Sequence, residues 1–482
     1  MLNHLIKFIL IFLLVFTPIA FGSMNLWAFS LMELCILLII ILWAIQSLIP
    51  QTPNLSFQAS QSEIRNPWPV QCGANFIGPQ SAIVMVLLFL FLLLILFQML
   101  PFPSEILKTI SPKTYELRYA LSFEPSASRF PLSFVPFLTQ IEFFKWLTLI
   151  GLFFFLLNSN LLNHRHRIMR QLIVVIMLVG IFESLYGMFE FFSGHRHILH
   201  LDMEGGVSSV TGTFINRNYF AGYLLMVIPL CMGFLFSQES FRRIRFVNLR
   251  HWLTSLEGKT LLIAFGIVLM ILALIFTASR MGILSLLLSF SLISLFFREQ
   301  RKERRFSKPT VLILGLALLW AIWIGLDAVI SRFFNISESL EDRWKIWVNT
   351  FQILKDFPLF GSGLGTFAQV FPMYRSFHIR GFFSHAENDL LQLASEVGLI
   401  GIGLLFILFF LIFFRGLFTI HSISRRDPER YIAIGSLVGV LALIFHSLVE
   451  RNIQVPANAF LFTFIWALII RIGIAKNAVQ LA

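Results

Sequence analysis

Charge is scarce in this chain. Asp, Glu, Lys and Arg make up 13% of its 482 residues, about half the share of an ordinary soluble domain. Cysteine is nearly absent: Cys35, Cys72 and Cys231 lie far apart with no CxxC spacing. That excludes a zinc ribbon and a disulfide framework. No sequence repeat, low-complexity tract or strand alternation is visible. The first apolar stretch has neither a basic start nor a small-residue cleavage site, so it does not read as a clear signal peptide.

Apolar residues fill the space that charge leaves. They form 57% of the chain, with 56 phenylalanines and a mean hydropathy of +0.82. A water-soluble core could not hide so much, and a polytopic membrane protein follows. A bilayer core takes about 20 apolar residues per helix, which predicts about twelve helices. They are expected near Leu5–Phe21, Leu26–Ile49, Ala82–Leu100, Thr139–Leu157, Leu172–Phe192, Tyr219–Phe236, Leu261–Phe276, Met281–Phe297, Val311–Leu326, Val397–Phe414, Ile432–Leu448 and Ala457–Ile474.

The net charge of +12 would suggest nucleic acid in a soluble chain. Here nearly half of the 37 basic residues fall in four connections: 163–170, 241–250, 298–308 and 415–430. With twelve helices all four share one side with both termini, which the positive-inside rule makes cytoplasmic. Nucleic acid is therefore not an expected partner. The longer segments Pro101–Leu138, Ser193–Asn218 and Asp327–Glu396 then lie outside. The last exceeds a mere connector. In it DRWKIWVNTFQILKDF has helical spacing of Trp344, Trp347, Val348, Phe351 and Leu354, GSGLGTF is a turn, and HAENDLLQLASEVG starts a helix running toward the tenth span. Amphipathic outer helices at a membrane surface fit this pattern. The expected units are helices 1–4 over 1–171, helices 5–9 over 172–326, the outer loop over 327–396 and helices 10–12 over 397–482.

The informative charges are those that the topology rule disfavours. Arg280 sits in TASRMG, a very short outer hairpin, and Arg217 in TGTFINRNYFAG at the outer mouth of the sixth span. A single arginine there reads as an interfacial anchor. Two in tight Asn-, Gly- or Ser-flanked turns point to phosphate, because a guanidinium forks two hydrogen bonds onto its oxygens. Two converging arginines could hold a diphosphate without metal. His385 opens the HAEND segment and can accept a proton near neutral pH; Glu387, Asn388 and Asp389 follow within one turn. An isolated histidine is more often structural. No second His or Cys at i+4 completes a zinc site. His195, His197 and His200 in HRHILH read as a solvated loop before a metal site. Glu183 and Glu190 share one face of the fifth span. One reading pairs them with Arg217 or Arg280, the other with sugar hydroxyls. His446 and Glu450, at i and i+4 before Arg451, form a local pair or line the same cavity.

Taken together, TGTFINRNYFAGYL, TASRMG, the block from DRWKIWVNTF to GSGLGTF, and HAENDLLQLASEVGLIGIG resemble the motifs of the O-antigen ligase and polymerase family, over about Gly180 to Ile474. The resemblance implies a GT-C-like, all-α polytopic membrane fold with a large helical periplasmic loop. It implies a glycosyltransferase of the bacterial inner membrane that uses an undecaprenyl-diphosphate-linked glycan and transfers it, at the periplasmic face, to a glycan or a lipid A-core acceptor. By position, Arg217 and Arg280 would bind the diphosphate, and His385 would be catalytic, as general base or by orienting the acceptor hydroxyl. Arg375 would be a further phosphate or sugar contact; Glu387, Asn388 and Glu183, singled out by the residues themselves, complete the expected substrate-binding set. No metal or cofactor is expected, and the transfer would invert the anomeric centre. Many members carry an aspartate before the asparagine-containing stretch of HSLVERNIQVPANAF; Glu450 and Arg451 stand there in this chain. A transporter or flippase of a lipid-linked saccharide is the competing class, predicting symmetry-related helix groups and broken helices at the midplane; a membrane scaffold is the third.

Overall fold

The computed structural model describes residues 2–48, 79–121, 129–159, 167–194, 197–202, 209–243, 257–298, 336–377, 383–425 and 427–481, with isolated positions between 313 and 323. In chain order the helices are α1 Leu2–Ile19, α2 Leu26–Leu48, α3 Pro79–Met99, α4 Ser104–Ile110, α5 Pro112–Leu121, α6 Pro136–Asn158, α7 Arg167–Ser193, α8 Arg217–Ser237 and α9 Glu239–Arg243. There follow α10 Gly258–Phe276, α11 Arg280–Arg298, α12 Ile336–Asp356, α13 Phe367–Tyr374, α14 Asp389–Ser422, α15 Pro428–Ser447 and α16 Pro456–Leu481.

Among the described residues ten helices are long and apolar enough to cross a membrane: α1, α2, α3, α6, α7, α8, α10, α14, α15 and α16. The all-α polytopic reading holds. The apolar part of α11, Arg280–Phe296, is slightly shorter. The expected helix at Val311–Leu326 lies mostly outside the described residues, as do Pro50–Gln80 and most of the basic connections. Two small antiparallel ribbons do occur, β1 Pro101–Pro103 with β2 Arg129–Pro131 and β3 His197–Ile198 with β4 Leu201–Asp202. They are too short to show alternation in the sequence.

The bundle is built around α8. Every residue from Asn218 to Ser237 is buried, as a helix apolar all round requires. Its tightest partner is α15. A Cβ on Gly233 would lie 2.4 Å from the Tyr431 carbonyl oxygen, and one on Gly435 2.2 Å from that of Pro229. Such backbone approach through small residues is how helices associate where lipid offers no hydrophobic drive.

The helix α14 is the longest, and it is broken. Gly398 has φ +67° inside it, a conformation that a side chain strains. The turn 358–367 clasps the break. The Leu399 and Ile400 amides donate to the carbonyls of Pro358 and Leu359, and the Ser362 and Gly363 amides to those of Ser395 and Glu396. Gln98, from the end of α3, donates to the carbonyls of Phe360 (2.6 Å) and Glu396 (2.8 Å) and accepts from the Leu364 amide (3.1 Å). The GSGLGTF turn expected from sequence is therefore a brace on a membrane helix.

Above this end of the bundle lie α12 and α13. Their inward residues Ile346, Ile353, Phe367, Val370 and Phe371 pack with Phe357, just beyond α12, and Ala386. The apolar face read from sequence is split. Trp344, Val348 and Phe351 of α12 are exposed while Ile346 and Ile353 point inward, so the helix presents apolar surface both ways, as one lying between protein and bilayer would.

Candidate functional site

Two turns open the site. Asn216 caps α8, its side chain accepting from the Asn218 amide at 2.8 Å, so Arg217 is the first residue of the helix. In the second turn, Ser279 Oγ accepts from the Gly282 amide at 3.3 Å, and Arg280 starts α11. A Cβ on Gly282 would sit 3.1 Å from the Ala221 Cβ. The first turns of α8 and α11 thus lie side by side, each opening on an arginine. The positive ends of two helix dipoles therefore lie together.

A polar chain runs from there to His385. Ser279 Oγ is 3.3 Å from His446 Nε2, and Asn452 Nδ2 donates to His446 Nδ1 at 3.1 Å. Since Nδ1 accepts, Nε2 carries the proton and donates to Ser279. Gly222 of α8 makes room, for a Cβ there would lie 2.0 Å from Asn452 Oδ1. Asp389 Oδ2 accepts from the amides of Asn452 (2.6 Å) and Ile453 (2.7 Å), tying the start of α14 to the α15–α16 corner. Arg451, next to Asn452, donates to His385 Nε2. Burial first, then Arg451 and Lys145, depress the His385 imidazole from its ordinary value to about 2. It stands neutral, with Nε2 as the acceptor.

The His385 loop is pinned at the next residue. The Ala386 amide donates to Gln392 Oε1 at 3.0 Å, and its carbonyl accepts from Trp347 Nε1 at 3.1 Å. Glu387 follows with φ +51°, uncommon for a side-chain-bearing residue. Beside it, Glu450 accepts from Arg343 Nη2 at 2.6 Å and from Asn218 Nδ2 at 2.7 Å. Arg343 also donates to the Val449 carbonyl at 2.8 Å. Burial pushes the Glu450 carboxyl up against the pull of Arg343, and Glu387 adds to the rise.

The other residues picked out from sequence fare differently. Asn388 is spent on structure: its Oδ1 accepts from the Leu391 amide at 3.0 Å and caps α14. Glu183 does not turn to an arginine. It receives the Thr213 amide at 2.7 Å and lies 2.8 Å from the Thr213 hydroxyl, which holds the TGTF turn below Arg217. Glu190 lies 3.5 Å from His197 Nδ1; His195 is outside the described residues. Arg375 ends α13 and is exposed; its neighbour Ser376 donates to Asn349 Oδ1 of α12 at 3.1 Å, so it belongs to the outer layer. Among the described residues no group of three His, Cys, Asp or Glu is placed to hold a metal.

Sequence reasoning missed Arg343, Gln392, the Arg451–His385 contact, and the Glu142–Lys145 ion pair inside α6. That ion pair stands in an apolar groove between α3, α6, α14 and α16, lined by Leu88, Leu149, Phe153, Leu408, Phe462 and Trp466. Gln454, three residues after Arg451, lines the groove too. A lysine within the apolar stretch of α6 was the available signal.

Residues 265–406 match the O-antigen ligase family. The match supports the O-antigen ligase and polymerase family for this membrane chain. No curated protein matches the sequence. The matched region runs from within α10 to within α14. It includes Arg280, Arg343 and His385, while Arg217, Glu450 and Arg451 come to the same site from outside it.

Proposed function

We propose that the protein is a metal-independent glycosyltransferase of the bacterial inner membrane, transferring or polymerising a glycan from an undecaprenyl-diphosphate-linked donor at the periplasmic face. The observation that carries this reading is the pairing of the α8 and α11 first turns, each beginning with an arginine. Breaking the bond from sugar to diphosphate builds negative charge on the leaving oxygen. Arg217, Arg280 and the two helix N-termini meet that charge in a site of low dielectric. The acceptor hydroxyl must lose its proton as it attacks, and a neutral His385 imidazole takes it or orients the hydroxyl. Attack opposite the diphosphate inverts the anomeric carbon. The groove along α6 and α16 supports a lipid-linked substrate, having the apolar lining that an isoprenoid chain needs. Glu387 and Arg375 take sugar or phosphate groups on the outer side.

The test is glycan transfer by the purified protein from an undecaprenyl-diphosphate-linked donor in the presence of EDTA. Product with an inverted linkage is expected. Movement of the donor across a vesicle bilayer without any transfer would instead identify a flippase. A strain lacking the gene separates the acceptors. Short capped chains mark a polymerase, and long unattached lipid-linked chains mark a ligase to lipid A-core.

A further inference from the structure

His385 stands in the structure with both ring nitrogens out of use. Nε2 accepts from the Arg451 guanidinium, and Nδ1 is buried without a hydrogen-bond partner. The loop that carries the ring is held on both sides of the Ala386 peptide, by Gln392 and by Trp347. In this arrangement the ring has no lone pair to offer a hydroxyl.

The guanidinium that occupies Nε2 is placed to leave it. Arg451 adjoins Asn452, which reaches the α11 turn through His446 and Ser279. It also interacts with the side chain of Tyr219, two residues beyond Arg217 on α8. Arg451 therefore lies between the imidazole and the two helix starts that carry Arg217 and Arg280. A guanidinium meets a phosphate as ion to ion, and in a two-bond fork that a single neutral imidazole nitrogen cannot match.

We propose that Arg451 is a positioning residue that masks His385 until a diphosphate is seated, then transfers its hydrogen bonds to the phosphate and frees Nε2. This rests on the glycosyl-transfer reading above and adds an order to it, with donor before acceptor. With Nε2 free, the acceptor oxygen forms its bond to the anomeric carbon. Its proton passes to Nε2, and the bond to the diphosphate breaks with its electron pair leaving on the phosphate oxygen. The basicity of His385 is depressed first by burial and then by Arg451, and the same movement relieves the second of these.

The test needs no turnover. Diethylpyrocarbonate acylates a neutral imidazole at an accessible nitrogen, and mass spectrometry of the His385 peptide reads the rate. The probe is farnesyl diphosphate, with its binding followed separately by tryptophan fluorescence. In the intact protein His385 should react slowly alone and at least about tenfold faster with the probe bound, as the stronger phosphate partner takes the guanidinium. Arg451→Met should react fast without probe, and Arg451→Lys, which keeps a donor, should stay masked. Equal rates in the intact protein and Arg451→Met would overturn the proposal. So would a rate unchanged by saturating probe, and in that case the diphosphate reading would survive. Absence of probe binding would overturn the diphosphate reading and this proposal with it.

Discussion

Two buried polar networks flank the first three turns of α14, and they differ in how completely they are satisfied. Around the Gly398 break, Gln98 uses both its carbonyl and its amide, and Glu396 accepts from the Phe367 amide and from Gln392. None of these side-chain atoms is left unpaired. On the other side, His385 Nδ1, Gln454 Nε2 and Asn458 Oδ1 are buried without partners. Buried polar atoms are expensive to leave unpaired. A complete network is scaffold; an incomplete one costs stability that a bound substrate can return. Both hang on one helix, so the bracing of one side fixes the geometry of the other.

The comparison is broken most sharply by the arginines. Arg217→Ala and Arg280→Ala should each lower transfer by about 100-fold or more, with protein level and melting temperature kept; lysine should rescue poorly because it lacks the planar fork. Full activity in both variants would remove the site from the incomplete side. Gln98→Leu should do the opposite. It strands the Phe360 carbonyl and the Leu364 amide, at about 1–3 kcal/mol for each group left unpaired, while the Glu396 carbonyl keeps the Gly363 amide, so thermal stability in detergent should fall while turnover per folded molecule persists. Between these lies Arg343→Met. It leaves Glu450 buried without its cation, at about 3–5 kcal/mol for a broken buried pair, and the double variant with Glu450→Gln should regain much of the loss. No recovery would mean that Arg343 acts on substrate and not on the corner.

The smallest effect is a pH dependence. His385 is held far below its ordinary value, so between about pH 6.5 and 2 the unfolded chain binds a proton that the folded chain refuses. Stability should therefore rise with pH through this window and fall on acidification. Melting temperatures at pH 7 and pH 5 should converge in His385→Gln. An undiminished acid loss in that variant would assign the effect to other groups. Orientation is open to a separate check, in which a cysteine replacing Ser384 is labelled from outside the membrane and one replacing Ser307 is not.

The membrane helices were legible because each needs only a local run of apolar residues, and Arg280 and His385 because each interrupts a pattern in its own neighbourhood. Arg343 was not. In DRWKIWVNTF it reads as one more charge on an amphipathic helix, and its meaning comes from Glu450, 107 positions away. Arg451 looked like a departure from a family pattern until its guanidinium met His385. Glu183 failed in the other direction. An acid in a span invites a cationic partner, but the Thr213 turn supplies an amide and a hydroxyl instead, donors that no charge pattern reveals. Asn388 was noticed for its neighbours and turned out to be a cap, as Asn before a helix often is.

The enclosure of α8 has a consequence for how the molecule is made. Segments enter a bilayer in order of synthesis, and α15, whose backbone presses into that of α8, emerges only after everything between Ser237 and Pro428. Until then the glycine-lined seam of α8 faces lipid or a chaperone. The polar corner at 446–452 arrives with the last strokes of assembly. A nascent chain stalled before Pro428 would carry Arg217 and Arg280 without the 446–452 corner, so the polar network is completed only when the bundle closes.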